Sequence, residues 1–170
     1  MQTRLESQQA FLHTITSHGR WEDLRIEEGL LRHRVAAIEP FDLREATRTL
    51  YRLYAEKFGK PRWGDKTPHY VRRMKLVQQL LPEAHFIHII RDGRDVALSV
   101  KDLSFGADSV EEAARRWRGG INRARRQSGE LPHYLEIRYE DLVSSTEKTL
   151  RTIGEFINLP WNPSVLKRLV

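Results

Sequence analysis

The segment FIHIIRDGRDVALS, residues 86–99, sets a strand, a charged turn and a helix start in direct succession. HFIHII, residues 85–90, is a short apolar and β-branched run bounded by the Pro82-Glu83 turn and by Arg91-Asp92-Gly93-Arg94, the signature of a buried strand. A helix from about Asp95 to Leu103 follows almost at once, with Ser99 on it. Downstream, the Arg-rich stretch from about Ser109 to Gln127 carries Val110, Ala113, Ala114, Trp117, Ile121 and Ala124 at helical spacing. HYLEIRY, residues 133–139, reads as a second strand, and Ser145 to Ile157 as a final amphipathic helix closed by Leu159, Pro160 and Trp161. Helix, strand, helix, helix, strand, helix predicts an α/β fold with a parallel sheet.

Upstream of the strand the chain is helical. Residues 3–18 form a polar-rich helix with Leu5, Phe11, Leu12 and Ile15 on its buried side, broken at Gly19. Asp42 is the N-cap of a second helix, with Glu45 three residues on and an apolar stripe from Leu43 to Phe58 that ends at Gly59. RWGDKTP is a loop feeding a third helix, with Thr67 as N-cap, Pro68 at the first helical position and a stripe of Tyr70, Met74, Val77, Leu80 and Leu81. Pro82 stops it.

The chain of 170 residues fits one domain of ordinary size, and its 39% hydrophobic and 31% charged residues are those of a globular protein. The 29 Lys plus Arg against 23 Asp plus Glu leave a net charge of +6, which favours an anionic partner. With no cysteine there is no disulfide framework, thiolate metal site or Cys nucleophile. The histidines at 13, 18, 33, 69, 85, 88 and 133 form no ligand-spaced set, so no metal is expected. The first residues resemble no targeting signal, no apolar run reaches the length of a membrane span, and the lack of cysteine suits a reducing compartment. The expected location is cytoplasmic.

In open α/β sheets ligands sit beyond the carboxyl ends of the strands, which is where Arg91 emerges. Arg91, the free N–H groups of the following helix start and the Ser99 hydroxyl could together grip one phosphate. The same residues would also suit a solvated capping network of Arg91, Asp92, Arg94 and Asp95, with Ser99 an ordinary helix-face residue.

The block over 86–99 resembles the 3′-phosphate-binding motif of sulfotransferases that use 3′-phosphoadenosine 5′-phosphosulfate (PAPS). WGDKTPHY (63–70) resembles the family's Lys-Thr-Pro segment, and RYEDLVSSTEKTLRTIGEFINLPW (138–161) its Tyr-Glu-Asp-Leu segment and following helix, in the same order and spacing. The likeness covers roughly residues 41–161 and is strongest to the bacterial group that itself resembles tyrosylprotein sulfotransferases. It implies a P-loop-like, three-layer fold over 1–170 as a single sulfotransferase domain. It also implies PAPS as sulfuryl donor, no metal, and a hydroxyl or amine acceptor whose identity the chain does not give.

By that resemblance Arg91 and Ser99 would bind the 3′-phosphate, Tyr139 would lie against the adenine or its ribose, and Lys66 would contact the bridging oxygen or the sulfuryl group. Read without the family, Tyr139 is equally a core aromatic at a strand end, Trp117 on the apolar face of its helix is a core residue, and Lys66 is a surface lysine pairing with Asp65. Pro68 stands where many family members carry a histidine, and His69 is not given its role, so the general base is unassigned. Nothing in residues 1–60 resembles the first strand and Gly-rich loop that hold the 5′-phosphosulfate. The expectation is a domain incomplete at its N-terminus, poorly stable and without turnover by itself. Two other readings remain: a nucleic-acid-binding module built on the basic helix 109–127, and a non-catalytic remnant of the fold.

Overall fold

The computed structural model describes residues 2–100, 103 and 106–168, and the chain divides into two compact units, Met1–Thr67 and Pro68–Val170. The first unit is all helical: α1 (Gln2–Thr16), α2 (Trp21–Leu24), α3 (Glu28–Ala36) and α4 (Leu43–Lys57). The Asp42 side chain accepts the Glu45 backbone N–H at 2.9 Å, the N-cap that the sequence predicts, and Gly59 at φ +60° ends the turn after α4. Phe11, Leu12, Trp21, Ile26, Leu31, Val35, Ala46, Leu50 and Leu53 form the core of this unit. Leu5, expected on the buried side of α1, is 52% exposed.

The second unit holds the sheet. A 3-10 turn (Pro68–Arg72) leads into α5 (Met74–Leu80), then β1 (Phe86–Ile90), α6 (Gly93–Val100), α7 (Val110–Ser128), β2 (Tyr134–Arg138), α8 (Tyr139–Ser144), α9 (Thr146–Phe156) and a closing 3-10 turn (Pro163–Arg168). The predicted helix from Thr67 is corrected here. Pro68 opens a 3-10 turn rather than an α-helix, the Thr67 hydroxyl donates to Asp65 at 3.0 Å, and Arg73, with φ −141°, breaks the chain before α5 begins. α6 begins earlier than expected, at Gly93, and is described as far as Val100; of the expected last turn, residues 101 and 102 lie outside the described residues.

Among the described residues the sheet has two strands, paired in parallel with Phe86 opposite Tyr134 and Ile90 opposite Arg138. Parallel pairing is what the alternation of strands and helices predicts. The strand β1 is not buried on both faces. Phe86, His88 and Ile90 are half-buried, whereas Ile87 and Ile89, on the opposite face, are 37% and 48% exposed.

α7 starts at Ser109, whose hydroxyl accepts the Glu112 N–H at 3.1 Å. From its apolar stripe Ala124 is fully buried with Met74 and Leu131, and Val71, Phe86 and Tyr134 pack against them. The stripe fails at its first residue, because Val110 is 77% exposed. No helix among the described residues is long and apolar enough to cross a membrane.

Candidate functional site

At the carboxyl ends of β1 and β2 lies a cavity of about 570 Å³. Its apolar wall includes Ile90, Ala97, Ala114, Trp117 and Ile121, and Arg91, Arg94, Arg118, Arg125 and Arg138 bring guanidinium groups to it against Asp92, Glu136 and Glu140. Five cations against three carboxylates favour an anion, and the apolar wall suits a flat or aliphatic body attached to it.

Arg91 is the residue that β1 delivers to this cavity. Its Nε atom is buried and makes no hydrogen bond, and the Asp95 carboxylate comes only to 3.6 Å. The guanidinium lies over the Tyr139 ring, 5.1 Å from its centroid. Tyr139 gets there because β2 pairs in register with β1 and passes directly into α8, of which Tyr139 is the first residue. The Arg91 side chain as a whole is 41% exposed and lines the cavity, so its guanidinium is open to an anionic oxygen there.

The turn behind Arg91 is clamped from two sides. The Trp117 indole N–H donates to the Arg91 carbonyl at 2.9 Å, and the Glu140 carboxylate accepts the Asp92 backbone N–H at 2.8 Å. That hydrogen bond is the main reason the Glu140 carboxyl titrates below its usual range. Gly93 is required by the same packing: a Cβ there would stand 2.8 Å from Trp117 Cδ2. Asp92 caps α6 with its own side chain, accepting the Arg94 backbone N–H at 2.8 Å, while the Arg94 guanidinium pairs with it at 2.8 Å. The Arg94 side chain holds the Asp92 carboxyl well below the usual carboxylate range. The capping network foreseen for Arg91, Asp92, Arg94 and Asp95 therefore exists, with Arg91 Nε facing Asp95 at 3.6 Å and Arg94 paired to Asp92.

On the same face of the sheet the Tyr134 hydroxyl sits 2.6 Å from His88 Nδ1 and 3.3 Å from Glu136, and Arg125 grips Glu136 with two nitrogens at 3.1 and 2.5 Å. Burial lowers the pKa of His88 and pushes that of Tyr134 up to about 12, and the Arg125 hydrogen bond lowers that of Glu136.

Of the four residues singled out from sequence, Arg91 and Tyr139 meet. Ser99 is exposed, its hydroxyl donates to the Val96 carbonyl at 2.9 Å, and it forms no hydrogen bond to Arg91 or Tyr139. Lys66 belongs to the first unit, where it is exposed and forms no ion pair among the described residues. The Asp65 carboxylate accepts the Tyr51 and Thr67 hydroxyls at 3.1 and 3.0 Å. Sequence reasoning missed Glu140 and Gly93 and took Trp117 for a core aromatic. A glycine just after a charged strand end was the available signal for a close neighbour. The basic stripe of α7 is partly consumed internally, Arg116 by Glu112 and Arg125 by Glu136. No group of three or more His, Asp or Glu among the described residues could hold a metal ion.

Comparison with known proteins places this geometry in context. Residues 3–163 match the model of the Sulfotransferase family. Protein-tyrosine sulfotransferase 1 of Danio rerio is 31% identical over 108 residues, 60% of this chain and 30% of that protein. Protein-tyrosine sulfotransferase of Drosophila melanogaster is 28% identical over 113 residues, 62% of this chain and 23% of that protein. An uncharacterized protein of Aquifex aeolicus is 30% identical over 145 residues, 77% of this chain and 19% of that protein. The chain thus spans less than a third of the length of each of these relatives.

Proposed function

The chain belongs to the sulfotransferase family, and on that premise we propose that it binds PAPS through the turn after β1 and serves sulfuryl transfer to a hydroxyl or amine acceptor. The observation that supports the reading is the Arg91 guanidinium, which lines the cavity at the carboxyl end of β1 and lies over the Tyr139 ring. These residues fit the nucleotide: a guanidinium offers two parallel donors to a phosphate, and a tyrosine offers a flat apolar wall with a polar tip. Ser99 adds a hydroxyl once it turns from the Val96 carbonyl.

When bound, the donor supplies an activated sulfuryl group whose bond to the 5′-phosphate breaks as one to the acceptor oxygen or nitrogen forms. Lys66 is assigned the charge that builds up on the departing phosphate, because transfer of this kind depends mainly on positioning and electrostatic stabilisation. The three-layer, P-loop-like fold over the whole chain as one domain is part of the same reading. So is an acceptor of the protein-tyrosine kind, which the names of the Danio and Drosophila relatives suggest.

The test is calorimetry with adenosine 3′,5′-bisphosphate, the desulfated donor. Arg91→Ala and Ser99→Ala each remove a charge-assisted contact worth roughly 1.5–3 kcal/mol, so both should weaken binding. Unchanged affinity in both would overturn the assignment.

A further inference from the structure

Trp117 combines three observations that a core aromatic does not need to show together. It is half-buried and lines the cavity, its ring presses on Gly93 so closely that a Cβ would meet Cδ2, Cε2 and Cε3 at 2.8, 3.1 and 3.2 Å, and its N–H donates to the Arg91 carbonyl at 2.9 Å. A tryptophan used only for packing satisfies its apolar area with any large ring; this one uses the one atom that phenylalanine lacks. The carbonyl it holds belongs to the residue whose guanidinium faces the cavity, and fixing that peptide fixes the direction in which the side chain leaves the backbone. From the far end the same side chain is limited by the Tyr139 ring at 5.1 Å and the Asp95 carboxylate at 3.6 Å. Arg91 is therefore restrained at both ends while its side chain still lines the cavity.

We infer that Trp117 is a positioning residue for the anion site: through its hydrogen bond to the Arg91 carbonyl it presets the guanidinium for the 3′-phosphate. The inference rests on the reading of Arg91 given above. Trp117 acts through Arg91, so its effect is confined to ligands that carry the phosphate Arg91 grips.

The experiment compares two nucleotides by calorimetry: adenosine 3′,5′-bisphosphate and adenosine 5′-phosphate, which lacks the 3′-phosphate. In Trp117→Phe the affinity for the bisphosphate should drop about three- to tenfold while that for the monophosphate stays the same, the size expected for losing the benefit of one hydrogen bond. Trp117→Leu should lose the same selectivity although its thermal midpoint falls further, because the N–H is absent from both variants and the ring from one. Arg91→Ala is the reference. If it abolishes the preference for the bisphosphate while Trp117→Phe retains it, or if the loss in the two Trp117 variants follows their stability, Trp117 is packing only and the inference fails alone. If the unaltered chain shows no preference, or keeps it in Arg91→Ala, the Arg91 reading fails and takes this inference with it.

Discussion

Gly93→Ala should destabilise the second unit, although glycine to alanine at the start of a helix usually does the opposite. Gly93 has no positive φ, so its backbone accepts alanine, and the change gains up to about 1 kcal/mol in helix propensity. Against this, the new Cβ would stand 2.8 Å from Trp117 Cδ2. Carbon atoms rest at about 3.5–4.0 Å, so the ring must retreat by roughly 0.7 Å or more. The neighbour is a ring rather than the tip of a flexible chain, and its N–H is tied to the Arg91 carbonyl at 2.9 Å. Overpacking of this kind costs about 1–3 kcal/mol, and a lost hydrogen bond adds about 0.5–1.5 kcal/mol. After the propensity gain of about 1 kcal/mol is subtracted, the net loss is about 0.5–3.5 kcal/mol. Urea unfolding followed by far-ultraviolet circular dichroism measures it, and the midpoint should recover in part when Trp117→Leu is added to Gly93→Ala. A single variant as stable as the parent, or more so, would refute the packing argument and with it the requirement for glycine.

Three other outcomes are expected. Lys66→Ala, examined in a form of the protein with turnover, should lower kcat with little change in nucleotide affinity, and equal losses in both would make Lys66 a binding residue only. Burial sets the pKa of His88 below 6.5, so the folded state takes up its proton less readily than the unfolded chain; stability should be full above pH 6.5 and fall as pH drops through the folded value. Thermal midpoints between pH 5 and 8 should show that decline in the parent and a flatter profile in His88→Gln. Leu31→Ala removes a fully buried side chain from the core of the first unit and should cost about 2–5 kcal/mol by urea unfolding.

Two helix starts were legible from their caps, Asp42 with Glu45 and Ser109 with Glu112, both close hydrogen bonds in the fold, whereas the start of α6, capped by Asp92, was placed two residues late. Thr67-Pro68 does open a helical turn, a 3-10 one over Pro68–Arg72, but the break at Arg73 that separates it from α5 carries no Gly or Pro to mark it. The strands were legible as short apolar runs, and their parallel pairing followed from the helices between them. The exposure of Ile87 and Ile89 was not, since a run such as FIHII hides the alternation of faces and only the covering elements decide which face is wet. Arg91 and Tyr139 were found as members of separate motifs, and register brings them together. Gly93 and Glu140 escaped notice, and Trp117 was read as a core aromatic only, because each contact joins residues far apart in sequence and nothing in the local pattern of α7 or α8 names its partner.

The most direct test is a crystal structure of the chain with adenosine 3′,5′-bisphosphate. The 3′-phosphate should lie within hydrogen-bond distance of the Arg91 guanidinium, with the adenine or ribose against Tyr139 and the Trp117 N–H still on the Arg91 carbonyl. A nucleotide bound elsewhere, for instance along the arginines on the outer face of α7, with Arg91 untouched, would contradict the account.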